Sequence, residues 1–172
     1  EKILAKDLNI SNERRKVIEI RDKIRELTSR AKLIVPKFSR IEISHHYGFK
    51  SFYKFGLCMI TVVNKSYCKK YLFMFKNQVH PAQYHKQKEE TFIILFGKIF
   101  LKITYKGTII KKIMNPGDTF TIKTGMIHEF KTLSPHGGVI EEISSESVKT
   151  DSYYIDKTIS KNKNRKTFVS FY

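Results

Sequence analysis

The chain of 172 residues has no tryptophan, only two cysteines and no long apolar run. Cys58 and Cys68 form neither a CxxC pair nor a zinc-ligand spacing, which argues against a disulfide scaffold and a structural zinc site. The longest apolar run, GLCMITVV at 56–63, is far shorter than the about 20 residues of a membrane-spanning helix. No apolar leader segment follows Glu1. We therefore expect a cytoplasmic protein with buried, reduced thiols.

Acidic residues are also scarce, at 16 against 33 lysines and arginines, which gives a net charge of +17. Such a charge raises the question of nucleic acid, because basic side chains neutralise phosphates. The basic residues are scattered, however, and no nucleic-acid-binding motif accompanies them. We expect neither a nucleic acid nor a membrane as the main partner. An acidic small molecule, or contact of the basic tail with a membrane surface, stays open.

The sequence pattern divides the chain into three segments. Residues 12–34 show an apolar stripe at helical spacing, with Ser11 or Asn12 as the expected cap and Pro36 as the stop. The stripe is formed by Val17, Ile20, Ile24, Leu27 and Ala31. We predict an N-terminal helical segment at 1–37, a β-barrel at 38–156 and a basic C-terminal arm at 157–172. Residues 157–167 of this arm are interpreted as a loop or a loosely packed arm.

After residue 38 the sequence consists of short β-rich runs separated by turn signals. Examples are RIEIS, YLFMF, TFIILF and IFLKITY, with turns at Lys106-Gly107 and Pro116-Gly117-Asp118. Many short strands at near-regular spacing predict a sandwich or a barrel, with the helix docked outside it. Because the first residue is Glu1 and not Met, we also expect the chain to be a piece of a longer protein.

Polar residues crowd the start of one β-rich run, in HPAQYHKQKEETFIILFG at 80–97. Strand alternation puts Gln83 and His85 on one face, and Glu90 on the face of the apolar residues that follow it. A further histidine, His128, comes just after the turn at Gly125. Two histidines and one carboxylate from separate strands are typical ligands of a divalent metal with open coordination positions. We predict a metal site formed by His85, Glu90 and His128.

These spacings resemble the two motifs of the cupin superfamily. The first is matched by Gln83-x-His85, four residues, Glu90, six residues and Gly97; the second by Gly117, five residues, Lys123-x-Gly125, two residues and His128. The resemblance implies a cupin double-stranded β-helix, or jelly-roll barrel, mainly β in class with an N-terminal α-helix. It also implies one divalent metal ion per chain, with zinc, manganese, iron and nickel left open.

Several positions depart from the cupin pattern. Asn77, Lys123 and Thr132 replace a glycine, a proline and an asparagine of the motifs. The important departure is Gln83, which stands where the first metal-binding histidine belongs. An amide oxygen is a weaker ligand than imidazole, so Gln83 is predicted as a fourth contact, with His80 as the alternate.

A narrower resemblance covers roughly residues 40–156. The segments IEISHHYG, YCKKYLFMF, PGD, EEIS and DSYYID are similar to the C-terminal cupin module of sialic acid synthase-like proteins and to sugar isomerases of the D-lyxose isomerase type. This resemblance implies a sugar or sugar acid as ligand. It also implies a homodimer and, in the first case, a synthase domain on the same polypeptide.

Other polar residues are candidates for a sugar site. Lys88 and Glu142 are predicted to be catalytic, as groups that move a proton or hold a sugar oxygen. Tyr84, His45 and Glu141 are predicted to contact the substrate. Each of these residues also has an alternative role outside a sugar site. Lys88 would be solvated, Tyr84 and His45 would belong to the core or to a turn, and whichever of Glu141 and Glu142 faces inward would form an ion pair.

Three functions stay open at this point. The first is a metal-dependent sugar isomerase or epimerase. The second is a non-catalytic sugar-binding module of a larger sialic acid synthase-like protein, which the Gln83 departure favours. The third and weakest is a cupin dioxygenase, since iron accepts two histidines and one carboxylate. A shared fold does not decide between them.

Overall fold

The computed structural model describes the backbone of residues 2–172 and the side chains from residue 12 onward. A long helix, α1, precedes twelve strands, and a short helix, α2, lies between the last two. The helices are α1 (Lys2–Arg30) and α2 (Lys157–Lys161). The strands are β1 (Arg40–His45), β2 (Gly56–Asn64), β3 (Tyr67–Met74), β4 (Val79–Tyr84), β5 (Glu90–Phe96), β6 (Ile99–Tyr105), β7 (Thr108–Met114), β8 (Thr119–Ile122), β9 (Ile127–Thr132), β10 (Gly138–Ser145), β11 (Tyr153–Tyr154) and β12 (Lys166–Ser170).

The strands form two facing antiparallel sheets. The larger has the order β12-β1-β2-β3-β10-β5-β8 and the smaller the order β11-β4-β9-β6-β7. Strand alternation gives each sheet one face toward the other, and the apolar side chains between them include Leu72, Phe92, Leu101, Phe130 and Ile140. The predicted mainly β jelly roll with an N-terminal helix is therefore confirmed.

Helix α1 covers the outer face of the larger sheet. Its Ile20, Ile24 and Leu27 are buried against a second apolar cluster that includes Ile43 and Phe73. Burying each of these helix side chains contributes about 1.5–3 kcal/mol. The helix thus docks on the barrel, as its apolar stripe predicts.

The predicted ends of the helix are wrong. Helix α1 runs through Ser11 and Asn12, so neither marks its start, and it ends at Arg30 instead of residue 34. Lys32 adopts a left-handed φ of 53°, which stops the helix before Pro36 is reached. The apolar stripe begins only at Val17, so it did not indicate the continuation ahead of residue 12.

The C-terminal segment is not a loose loop, and that interpretation is wrong. Residues 166–170 form β12, which pairs antiparallel with β1 in the register Glu42↔Phe168 and Ser44↔Lys166. Asp156 caps α2 through the backbone N–H of Thr158. The division of the chain at residues 37 and 156 stays a prediction.

Gly97, the glycine of the first motif, has a structural reason. Its φ is +79°, in the left-handed region, and a Cβ there would collide with the carbonyl oxygen of Gly137. The close approach lets β5 and β10 pair just beyond it, which fixes the strands that carry the functional side chains.

Candidate metal centre and adjoining cavity

His85, Glu90 and His128 come together between the two sheets. One ligand atom from each lies within 4.8 Å of the others, and the side chains are 4%, 2% and 0% exposed. Glu90 Oε1 is 3.1 Å from His128 Nε2 and 3.6 Å from His85 Nε2. Glu90 opens β5, His128 lies in β9 and His85 follows β4, so three chain segments supply one cluster.

The orientation of both histidines is fixed by backbone carbonyls. His85 Nδ1 donates to the carbonyl oxygen of Asp151 at 2.6 Å, and His128 Nδ1 donates to that of Met126 at 3.1 Å. Because a carbonyl only accepts, Nδ1 carries the proton in each ring and Nε2 presents its lone pair to the cluster. Both rings are thus held in the tautomer that a metal ion requires.

Two buried atoms of the cluster lack a hydrogen-bond partner, namely His85 Nε2 and Gln83 Oε1. A buried polar atom without a partner is costly, so such atoms call for an explanation. Together with the His, Glu and His donor set they fit a divalent cation, which would satisfy both. The side chains that the structure describes here could therefore hold a metal ion.

Gln83 lies beside His128, and His80 lies further away. Gln83 and His128 are directly opposite in the β4–β9 pair, and Gln83 Nε2 is 3.3 Å from His128 Nε2. His80 stacks on Phe130 with 4.7 Å between ring centroids and packs edge-on against His46. Burial lowers the pKa of His80 well below its usual value. Of the two predicted fourth contacts, Gln83 has the better position.

An ion chain extends from the cluster along the inner face of the larger sheet. Lys88 Nζ lies 2.5 Å from Glu90 Oε2 and 2.8 Å from Glu142 Oε1, and Lys70 Nζ lies 3.8 Å from Glu142 Oε1. Burial alone would lower the pKa of Lys88, but Glu142 and Glu90 outweigh burial and raise it. Burial would likewise raise the pKa of Glu90, yet Lys88 and His128 hold it well below its usual value.

Asp151 is a residue of this site that sequence reasoning missed. Its carboxylate accepts the backbone N–H groups of Lys86, Gln87 and Lys88 at 2.9–3.2 Å. Burial alone would raise its pKa, but these N–H groups lower it. Its carbonyl orients His85 at the same time, so one residue fixes the loop between β4 and β5. Only its place at the start of DSYYID could have drawn notice.

A cavity of about 370 Å³ adjoins the cluster and is large enough for a small sugar. His85, Glu90, Lys88, Glu142 and Gln83 line it. Further lining comes from segments to which the sequence prediction gave no role at the site, including Glu42, Lys70, Lys149, Arg165 and Phe168.

The three predicted substrate contacts do not line this cavity. Tyr84 stacks on Tyr153 on the other face of its strand, with 5.2 Å between ring centroids. His45 stacks on Phe49, and Glu141 forms an ion pair with Lys69 at 2.6 Å on the outer face of the larger sheet. Strand alternation puts Glu142 inward instead, and Tyr154 is the tyrosine that reaches the cavity.

Two facing antiparallel sheets with a His–Glu–His cluster between them are a cupin-type fold. The L-ribose isomerase of Geodermatophilus obscurus has this fold, with a TM-score of 0.70 and 12% identity over 86% of this chain and 94% of that one. No protein-family model matches the chain.

More particularly, the chain is similar in sequence to sugar isomerases. A D-lyxose/D-mannose isomerase of Thermosediminibacter oceani is 28% identical, covering 84% of this chain and 93% of that protein. A D-lyxose ketol-isomerase of Thermofilum is 26% identical, covering 70% and 79%. The predicted resemblance to D-lyxose isomerases is confirmed.

The other expectations concern the membrane, the cellular location and the assembly of the protein. Across the described residues, no helix is long and apolar enough to cross a membrane. The homodimer, the cytoplasmic location and the synthase domain on the same polypeptide stay predictions.

Proposed function

We propose that this protein is a metal-dependent sugar isomerase that interconverts an aldose and its 2-ketose. The observation that carries the proposal is the buried His85, Glu90 and His128 cluster beside a cavity into which a second carboxylate, Glu142, projects. The similarity to D-lyxose and D-mannose isomerases supports a small aldose as substrate.

His85, Glu90 and His128 would hold the metal ion, with Gln83 as a fourth contact through Oε1. A divalent ion bound there supplies a positive centre that holds two neighbouring sugar oxygens and polarises a carbonyl. The tautomers of both histidines are already set by Asp151 and Met126, so the chain is preorganised for this role.

Glu142 is the group that we assign to proton transfer. Its carboxylate takes the proton from C2 of the aldose and returns it to C1, while a proton passes from the C2 hydroxyl to the C1 oxygen. Atoms and charge balance in this exchange, which needs no redox partner. Glu142 is buried and shares Lys88 with Glu90, so it lies close to the predicted metal.

Lys88 lies between the carboxylates of Glu90 and Glu142 and forms an ion pair with each. Since Glu142 and Glu90 raise its pKa, its ammonium is a hydrogen-bond donor at neutral pH and does not serve as a base. This narrows the predicted catalytic role of Lys88 to orienting Glu142 and donating to a sugar oxygen.

The test is turnover of D-lyxose and D-mannose by the purified protein, with elemental analysis and with chelator. Turnover should vanish on chelation and return with a divalent metal. Glu142→Gln should lower turnover by about 10²–10⁴-fold. The adjacent Glu141→Gln, on the opposite face of the same strand, is the matched control and should leave turnover within a few-fold. Turnover that persists with chelator or in Glu142→Gln contradicts the proposal.

A non-catalytic sugar-binding module is the second candidate, favoured by Gln83 at a position where cupins place a histidine. On this alternative the protein binds a sugar without converting it, as part of a larger sialic acid synthase-like protein. Tight sugar binding that survives chelation, with no turnover at any metal loading, would favour it over the isomerase.

A further inference from the structure

The C-terminal strand and the residue before it supply part of the cavity lining. Arg165 directly precedes β12, and its carbonyl oxygen accepts the backbone N–H of His45 at 2.8 Å. Pairing of β12 with β1 continues from there, with Ser44 opposite Lys166. The backbone that carries Arg165 is therefore anchored to the barrel, and its side chain lines the cavity from a fixed base.

The charges around the cavity are unevenly paired. Lys88 and Lys70 lie beside Glu90 and Glu142, and Lys166 pairs with Glu42 at 2.6 Å. Among the described side chains, neither Arg165 nor Lys149 has a carboxylate oxygen within 4.0 Å. Three carboxylates thus face five cations in the cavity lining, and the two surplus cations belong to Arg165 and Lys149.

Arg165 is partly buried and is held in a defined position. Its guanidinium lies over the ring of Tyr154, with 5.2 Å from Cζ to the ring centroid. Tyr154 is itself buried, its hydroxyl is 3.2 Å from His46 Nε2, and its Cα is opposite Gln83 in the β4–β11 pair. A guanidinium that lies over a ring without a carboxylate partner keeps N–H groups free, and these match the oxygens of a carboxylate or phosphate.

We infer that Arg165, with Lys149 at the rim, forms an anion-binding subsite at the mouth of the cavity, and that the substrate is a sugar carrying a phosphate or carboxylate group. The part of this inference that concerns the sugar rests on the proposed function. The reacting carbons would lie at the His85, Glu90 and His128 cluster, and the anionic group at the other end, toward Arg165. Ser152, which also lines the cavity, offers a hydroxyl donor nearby.

The structure favours a local subsite over general attraction by a basic protein. A net charge of +17 steers any anion and this steering fades with salt, whereas a partly buried guanidinium is screened less. Removal of Arg165 should therefore cost more affinity than removal of any exposed arginine. Arg15, exposed on α1 and remote from the cavity lining, offers the matched control.

The experiment is calorimetric titration of the metal-loaded protein with D-mannose, D-mannose 6-phosphate, D-mannuronate and inorganic phosphate at two salt concentrations. Wild-type protein should bind at least one anionic sugar about tenfold or more tightly than D-mannose. Arg165→Gln should remove that difference, Lys149→Gln should reduce it, and Arg15→Gln should preserve it. Preference for the phosphate or for the carboxylate identifies the anionic group.

Two outcomes overturn the inference: equal binding of neutral and anionic sugars by the wild type, or the same loss in Arg165→Gln and Arg15→Gln. Failure of the proposed function looks different. Binding of inorganic phosphate that depends on Arg165, without turnover of any sugar, supports the subsite and contradicts the isomerase. Turnover of D-mannose without any anionic preference supports the isomerase and contradicts the subsite.

Discussion

Two buried glutamines show how the two packed regions of this protein differ. Gln78, beneath the helix-covered face, uses both ends of its amide: Oε1 accepts from the Phe75 N–H at 3.0 Å, and Nε2 donates to the Phe52 carbonyl at 2.6 Å. Gln83, between the sheets, makes one contact with His128 through Nε2, and its Oε1 has no partner. Both polar ends of the amide have a partner in Gln78, and only the Nε2 end does in Gln83.

The difference indicates what each region is for. A buried amide whose oxygen and nitrogen both have hydrogen-bond partners stabilises the fold, because each polar atom that leaves water finds a new partner. A buried amide with an open acceptor costs free energy unless something else binds it. The bonding of Gln78 thus fits a structural role, and the open acceptor of Gln83 fits the metal site proposed between the sheets.

The largest expected effect comes from removing the metal ligands themselves. In the double variant His85→Ala, His128→Ala, the affinity for a divalent metal should fall by more than about 100-fold. Loss of a hydrogen-bond partner that orients a metal ligand costs at most that much, and this variant removes two predicted ligands. Calorimetric titration with Zn²⁺ and Mn²⁺, after a chelator has stripped the protein of metal, measures the affinity. His136→Ala, at an exposed histidine, is the control. Unchanged metal content in the double variant would place the metal elsewhere.

Next in size is the contrast between the two glutamines. Gln78→Leu leaves a buried N–H and a buried carbonyl unpaired, so it should lower the free energy of unfolding by about 2–4 kcal/mol. Gln83→Leu breaks only one long contact and should cost less than about 1 kcal/mol, while weakening metal binding. Urea denaturation of the chelated variants and metal titration separate the effects. Equal destabilisation by both substitutions would break the comparison.

A third expected effect concerns acid stability. Burial lowers the pKa of His46, which packs against His80 and Tyr154, to about 4. In the unfolded chain the pKa of His46 is near the usual ~6.5. Between about pH 6.5 and about pH 4 the unfolded chain therefore binds more protons than the folded protein, so the free energy of unfolding falls as the pH drops through this range. His46 alone should account for about 2 kcal/mol between about pH 7 and about pH 5.

The measurement is urea denaturation of chelated protein across this pH range. His46→Asn, which cannot be protonated there, should flatten the dependence relative to wild type. His136→Asn, at the exposed histidine, should leave the slope unchanged. A wild-type stability that is constant or rises on acidification would show that His46 is not buried as a neutral group.

Much of the His85, Glu90 and His128 cluster could be predicted from sequence because its signals are local. His85 and Glu90 lie within one motif, and alternation along β5 gives the face of Glu90. The inward position of Glu142 follows from the same rule once the register of β10 is known, but the sequence left Glu141 and Glu142 open. The outward position of Tyr84 follows from alternation next to the inward Gln83, and that of His45 depends on the pairing of β1 with β2.

The other parts of the cavity depend on pairings far apart in sequence. Arg165 reaches the cavity because β12 pairs with β1, more than a hundred residues earlier. The segment between α2 and β12, NKNR at 162–165, is polar and is typical of a loop. Asp151 acts through its carbonyl and through backbone N–H groups, so no residue pattern marks it. Such contacts emerge only when the fold brings the segments together.

The smallest expected effect tests whether Asp151 positions the metal ligands. Its carboxylate has two accepting oxygens for three backbone N–H groups, and Asn would replace one oxygen with a donor that faces them. The loop carrying His85 should then loosen, and metal affinity should fall by about tenfold. A matched control exists in Asp118, whose carboxylate accepts the Asn115 N–H at 2.7 Å in a turn that does not line the cavity. Asp118→Asn should leave metal affinity unchanged. If Asp151→Asn binds metal like wild type, or if both variants lose the same amount, Asp151 supports only the fold.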